Sequence, residues 1–451
     1  MNYFFKLLVA GVLCITASAK AQSWVTYTTT NSQIPNSNGE ATVYSIAFDA
    51  SGNAWLGMQD SGVVTFNGTT TWTMQWDNFL NPAGGGSQLP SSVGALYYNK
   101  GSVWAGSEFQ AYGGLFQWNG STWTNPNNYV DNNANQVYAV TSDNSGNMWF
   151  ATDNNLSELT AAGSSLFYLS SQPTTNFPDN DPDALAADNN GNIWVGFGQD
   201  DGLVKMNIAT GVGILYDNAS NAQIPQDNVQ AIAIDLKGNI WAGTSGGGVY
   251  EYNPTTNTVI NAWSVETLAS FISDNIYCIT VDPTGNVWIG TDQGAAVWNG
   301  SAWTKFTMLN TNGMLPNDTV NAIAWERAKN GLLLTNVICF GTQNGLAEYT
   351  PKSTAVAENT GILANDNILS QNYPNPFAST TEISFSLPRM QNVSLQVYNE
   401  LGNEISDVAH GTMDAGVYSF NFDASNLPEG VYYYRLISDG IVQTKTMMVV
   451  K

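Results

Sequence analysis

The chain has 451 residues, with 13 Lys and Arg against 36 Asp and Glu and a formal net charge of −23. So acidic a surface repels phosphate backbones and argues against a nucleic-acid partner. Only 11% of residues are charged, 12% are aromatic and 42 are Gly, which excludes disorder and fits a turn-rich, all-β, extracellular-type protein with one large and one smaller domain.

Residues 1–21 read as a secretory signal peptide. Lys6 supplies the positive end, and Leu7 to Thr16 is an apolar core too short to span a bilayer. Ala19-Lys20-Ala21 is an Ala-x-Ala cleavage site, so the mature chain is expected to start at Gln22. Cys14 invites a lipoprotein reading, but Leu13 stands where such a signal needs a small residue. No later stretch is long and apolar enough for a transmembrane helix. Cys278 and Cys339 lie in apolar, strand-like runs and read as buried free thiols rather than a disulfide framework.

From Gln22 to Thr350 one phrase recurs. Trp55, Trp104, Trp149, Trp194, Trp241 and Trp288 share a local pattern at gaps of 49, 45, 45, 47 and 47 residues, and Cys339 takes the Trp slot of a degenerate last copy. A period in the forties with several short strands per copy predicts a β-propeller, here seven-bladed. In the first copy the strands are VYSIAFD, NAWLGMQ, GVVTFNG and TWTMQW, designated a to d. The a–b turn is Asp-x-x-Gly-Asn at Asp49, Asp143, Asp188, Asp235 and Asp282. Asp bonds its own turn backbone and Gly takes positive φ. Asn67-Gly68, Asn119-Gly120 and Asn299-Gly300 predict tight c–d hairpins; they also spell glycosylation sequons, but the turn alone explains them.

The last copy stops after its third strand, at Tyr349, whereas the segment after the signal resembles a fourth strand. Trp24 to Thr28 is therefore expected to complete the seventh blade and remove an exposed sheet edge. The recurrent Trp is read as packing between blades, not as a site.

These repeats, with phrases such as LPNDTVNAIAWE, QIPQDNVQAIAID and GNVWIGTDQG, resemble the two-component-regulator propeller repeats of Bacteroidetes-type bacteria. In that family the propeller is often the periplasmic sensor of a membrane-bound histidine kinase, frequently one responding to glycans. This sequence shows no membrane helix, kinase or DNA-binding segment after the repeats, so the resemblance implies the fold and not signalling.

Residues 351–368 have no clear period and read as a linker. Residues 369–451 alternate apolar positions, as at Val393, Leu395 and Val397, and predict a small Ig-like β-sandwich. The segment opens on Asn372-Tyr373-Pro374-Asn375-Pro376-Phe377. Gly402, Gly430, Tyr432 and the terminal Lys451 fall in its later motifs. This run closely resembles the type A sorting domain of the type IX (Por) secretion system. The resemblance implies the secretion machinery as a partner, export through the periplasm and outer membrane, and a secreted or surface-displayed cargo.

The only histidine, His410, falls in the tail, so the propeller has none for a Ser-His-Asp or Cys-His arrangement or for zinc. Gly246-Gly247-Gly248 sits in a hairpin and opens no helix, a poor phosphate cradle. Asp179, Asp181 and Asp183 alternate as in a calcium loop but lack the Gly and terminal Glu of an EF-hand, so a solvated loop and a calcium site both stand; no other cofactor is expected.

In a four-stranded blade the a–b and c–d turns share one face and the b–c and d–a connections the other. The first set is mostly tight and the second long and varied, so any binding site is placed on the long-loop face near the channel. The candidates there are Asp60, Glu108, Gln110, Tyr112, Asp153, Gln199, Asp200, Asp292, Gln293 and Gln343. Aromatics beside amides and carboxylates suit sugars as well as plain solvation. The expected function is a non-catalytic propeller recognising an extracellular glycan or protein. The alternatives are a carboxylate-based polysaccharide lyase or hydrolase, or a surface adhesion scaffold.

Overall fold

The computed structural model describes residues 23–36, 39–68, 71–75, 92–107, 114–124, 136–153, 155–168, 175–178, 181–199, 201–217, 224, 227–325, 337–351, 368–369, 371–372, 374–387, 391–413, 416–438 and 441–450. The signal segment, most of the linker, Asp179 and Lys451 lie outside them.

Seven antiparallel four-stranded sheets form the blades. Their innermost strands, a, are Val43–Phe48, Val93–Asn99, Val137–Ser142, Pro182–Ala187, Val229–Ile234, Ile276–Val281 and Val320–Trp325. Each neighbours the next, and the seventh neighbours the first, so the ring closes around a central channel. The chain closes it as anticipated. Ser23–Tyr27 pairs antiparallel with Gly345–Thr350, Trp24 opposite Tyr349, as the outer strand of blade 7. Trp24 stacks on Phe340 and tilts against Tyr349, which seals this blade with aromatic area.

Strand b is buried along its whole length in most blades, as in Ile240–Thr244 and Val287–Thr291. Blades cover both of its faces, so the sequence there is a continuous apolar run rather than an alternation. The repeated tryptophans fill the gap to the following blade. Trp149 packs with Ile193, Val195 and Phe197, and Trp241 with Ile276 and Ile289. Cys339 holds the equivalent place, opposite Ala324, and packs on Val43 and Leu56 of blade 1. Among the described residues neither Cys278 nor Cys339 forms a disulfide, and burial pushes the Cys278 thiol up to about 12.

The turn aspartate explains the recurrence of Asp-x-x-Gly-Asn-x-Trp. Asp188 Oδ1 accepts the backbone N–H groups of Asn190 and Asn192, while Oδ2 accepts Asn192 Nδ2 at 2.8 Å and Trp194 Nε1 at 3.1 Å. The same carboxylate-to-indole bond recurs from Asp49, Asp143, Asp235 and Asp282. One side chain thus closes the hairpin and aims the ring that welds it to the next blade. Blade 2 departs from the pattern, turning through Lys100 and Gly101, both at positive φ.

The b–c connections vary from seven residues in blade 2 to two in blades 6 and 7. In blades 6 and 7 they are two-residue hairpins, where Thr291 and Thr342 Oγ1 donate to the carbonyls of Gly294 and Gly345. The longest connections on that face are those from d to a.

The tail forms two sheets. One is ordered Ile368–Leu369, Thr380–Leu387, Gly416–Asp423; the other Glu404–Met413, Gln391–Tyr398, Gly430–Ser438, Ile441–Val449. They enclose a core that includes Phe377, Ile383, Phe385, Leu395, Tyr434 and Met447.

Candidate functional site

Every innermost strand begins with a β-bulge. In blade 1, Val43 pairs with Met58 and Ser45 with Gly57, leaving Tyr44 as the extra residue. The same shift sets apart Gly94, Tyr138, Asp183, Gln230, Tyr277 and Asn321. A bulge re-aims a side chain out of the ladder. Here it does so at the level where the d–a loops deliver the chain to the channel. Apart from Asp183, this ring was not among the residues anticipated from sequence. Its signal is the recurring Val/Ile/Pro-x-small triplet, as in VYS, VYA, PDA and IYC, which reads as ordinary strand alternation until the register is known.

The loops around this mouth are tied to one another. Backbone N–H groups of Gln59, Asp153, Ser245 and Gln343 donate to the carbonyls of Thr42, Gln136, Asn228 and Thr319, joining each b–c turn to the d–a loop of its own blade. Asp60 donates its N–H to Ser92 Oγ, and the Gln343 carbonyl accepts Thr42 Oγ1. Gln293 N–H is held by Thr291 Oγ1. Asp60 and Gln199 take positive φ, 54° and 58°, at their turn tips.

One group of the anticipated residues comes together, and one further anticipated residue gains partners of its own. Across blades 3 and 4, burial raises the Asp183 carboxyl to about 6, with the Asp181 charge adding and the Gly198 N–H opposing. Asp181 is raised by burial and by the charge of Asp153. Gly198 lets the Asp183 carboxylate lie close to the backbone, since a Cβ there would stand 2.3 Å from Asp183 Oδ2 and displace it. In blade 6, Asp292 accepts Ser273 Oγ and Asn275 Nδ2. Tyr277, 41% exposed, stands beside it, its hydroxyl raised by burial and then by the Asp292 charge. Ser273, Asn275 and Tyr277 were not singled out from sequence, since nothing local marks them as partners of a residue some fifteen to nineteen positions on. Glu108, Gln110, Tyr112 and Asp200 lie outside the described residues, as does Asp179. Among the described residues no group of three or more His, Cys, Asp or Glu has the arrangement of a metal site. Asp181 and Asp183 thus meet as neighbouring acids, with the charge of Asp153 acting on Asp181.

In the tail, the opening motif is a packed corner. Asn372, 2% exposed, donates Nδ2 to Thr381 Oγ1 and the Pro374 carbonyl, and its N–H to Tyr434 Oη. The Asn375–Pro376 bond is cis. Asn375 exchanges bonds with the last strand, Nδ2 to the Thr446 carbonyl and Oδ1 from Met448 N–H. Phe377 is buried and bridges the strand end through Met448 and Val450. Gly402 takes positive φ in the turn from Asn399 to Asn403. Tyr432 Oη donates to the Pro428 carbonyl, four residues back. The first and last segments of this domain are therefore one structural unit.

Fold and motifs define an exported β-propeller. Residues 371–451 match the secretion system C-terminal sorting domain, and residues 133–154 and 270–293 match the two-component regulator propeller. The chain joins propeller repeats of that class to a type IX sorting domain, which directs it to the cell surface or the medium. No curated protein sequence matches it. The extracellular domain of BT4673 from B. thetaiotaomicron is similar in structure, with TM-score 0.51 and 16% identity over 92% of this chain and 57% of that one. The WD40 β-propeller domain of Doa1 gives TM-score 0.50 and 12% identity, over 74% of this chain and 98% of that one. These likenesses concern the fold. PorZ of Porphyromonas gingivalis, described as an essential surface component of the type-IX secretion system, overlaps at TM-score 0.35 and 14% identity, over 91% of this chain and 66% of that one. Among the described residues no helix is long and apolar enough to cross a membrane.

Proposed function

We propose that the exported protein is a non-catalytic recognition propeller whose long-loop face binds an extracellular glycan. The observation that carries this reading is the bulge ring, which sets Tyr44, Tyr138 and Tyr277 at one channel mouth together with Asp183, Gln230 and Asn321. Aromatic faces accept the C–H side of a sugar ring, and amides and carboxylates accept its hydroxyls. The net charge of −23 disfavours a strongly anionic glycan. A panel of neutral and charged polysaccharides is offered to the mature protein, with product analysis of each hit. Saturable binding without cleavage, weakened about tenfold in Tyr277→Ala, supports the reading. Surface pull-downs that yield a protein while every glycan fails replace the ligand with a protein partner.

Asp183 favours a second reading. A carboxyl raised to about 6 by burial beside another acid is suited to general-acid work on a glycosidic bond. Release of shortened glycan, lost in Asp183→Asn, selects this enzyme reading.

A further inference from the structure

The two faces of the propeller differ in charge. No Lys, Arg or His occurs in the sequence of any connection from b to c or from d to a, whereas acids recur there, among them Asp60, Asp153, Asp181, Asp227, Asp274 and Asp292. The opposite face mixes signs. Its a–b turns carry Lys100, Lys237, Arg327 and Lys329, and turn aspartates such as Asp49 are bonded to Asn and Trp donors. Charge of one sign around a mouth concentrates ligands of the other sign.

One corner of the acidic face, at the seam of blades 4 and 5, holds buried polar groups without partners. Tyr250 is 0% exposed and its hydroxyl has no hydrogen-bond partner; burial raises it, and the charge of Asp227 adds to the shift. Asn228 Oδ1 is buried and has no partner either. It stands 3.6 Å from the point where a Cβ on Gly198 would lie, and Asp183 Oδ2 stands 2.3 Å from the same point. Gly202 N–H, in the same region of blade 4, donates to the Asp227 carbonyl at 2.6 Å and ties the two blades together here. A carboxylate and an amide oxygen therefore converge, and the amide oxygen lacks a donor. Asp183 and Asn228 are both partly exposed, so a ligand can reach the corner from the mouth. A buried acceptor without a donor is costly, so the corner favours a ligand that brings donors. A primary ammonium brings three donors and a positive charge, a hydroxyl one donor and no charge.

We propose that the glycan bound at the long-loop mouth carries a free amine, whose ammonium group docks on Asp183 and Asn228 at the seam of blades 4 and 5. This rests on the glycan reading above and names the sugar class, an amino sugar without an acetyl group. The amine supplies the donor for Asn228 Oδ1 and the counter-charge for Asp183. Tyr138, the bulge residue of the preceding blade, comes next to Asp183 in the ring.

The test offers the mature full-length protein three β-1,4-linked trisaccharides with the same backbone, by calorimetry at neutral pH and low salt. Cellotriose carries hydroxyls, triacetylchitotriose acetamides and deacetylated chitotriose ammonium groups. The ammonium form binds at least about tenfold tighter than either neutral form, and added salt weakens it. Asp183→Asn keeps the shape, removes the charge and lowers that affinity about tenfold or more; Asn228→Ala lowers it less. Lys237→Ala, in an a–b turn of the opposite face, leaves it unchanged. The amine assignment falls if no trisaccharide binds, or if a neutral one binds as tightly as the ammonium form; the second result leaves the glycan reading standing. It falls if Asp183→Asn binds the ammonium form as well as wild type does, since the attraction would then belong to the whole acidic face. Tighter binding of trilysine would replace the glycan with a basic peptide and overturn both readings. Calcium chloride that blocks the ammonium form in wild type would give the corner to the metal ion.

Discussion

Asp188 carries more of the architecture than its size suggests. Its carboxylate accepts two backbone and two side-chain donors, including the indole of a fully buried Trp194. Hydrogen bonds to a charged group contribute about 1.5–3 kcal/mol each, and a buried donor left without a partner costs about 1–3 kcal/mol. Asp188→Ala is expected to destabilise the propeller by roughly 2–4 kcal/mol, read as a lower denaturation midpoint. Asp183 acts in the opposite sense. Its folded value of about 6 stands above the ordinary 3.8, so the fold favours the protonated form. That contribution is complete below the unfolded value and is lost as pH rises through the folded one. Asp183→Asn is therefore expected to be more stable than wild type at about pH 8, by on the order of 1–3 kcal/mol, with the difference vanishing near about pH 4. Melting curves across that range check it; a variant less stable than wild type at alkaline pH would contradict the assignment. A group that costs stability where it stands is a mark of a working site.

At the scale of the element, strand b and the bulged strand a interlock. A Cβ on Gly57 would lie 2.3 Å from the Val93 carbonyl oxygen of blade 2, and one on Gly290 would lie 2.6 Å from that of Val320. The one copy with Ala at this place, Ala151, precedes the one blade whose innermost strand opens on Pro182 instead of Val or Ile. Glycine in this position is thus a packing requirement between blades. Gly57→Ala is expected to cost about 1–3 kcal/mol by overpacking, against a much smaller effect for Ala151→Gly; denaturant titration of the two separates them. Turns and central strands were legible in the sequence because their causes are local, as in Asp49 to Trp55 or Asn299-Gly300. The bulges were not. Tyr44 and Tyr277 look like any alternate strand residue, and only the pairing of Val43 with Met58 and Ile276 with Thr291 reveals them as extra.

For the whole molecule, closure and export govern the outcome. Without Ser23–Tyr27, blade 7 loses the strand paired to Gly345–Thr350 and the Trp24 ring that covers Phe340 and Tyr349. A variant starting at Gly39 is expected to unfold at lower denaturant and to expose apolar surface to a dye; equal stability would show that closure contributes little. The sorting domain acts at the same scale. Removal of residues 371–451 is expected to leave the protein in the periplasm, checked by fractionation and immunoblot. Appearance of the shortened protein outside the cell would separate export from this domain.

The sequence by itself determined the blade count, the ring closure and the route out of the cell. Each of these is written in short phrases whose physics acts within a turn, a hairpin or a contiguous motif. The tertiary structure alone decided which side chains meet: Asp183 with Gly198, Asp181 with Asp153, Tyr277 with Asp292, and Phe48 with Tyr98 and Trp325 around one cavity. These residues come from different loops or blades. Their meeting depends on register and on the curvature of a closed ring, which no local phrase encodes.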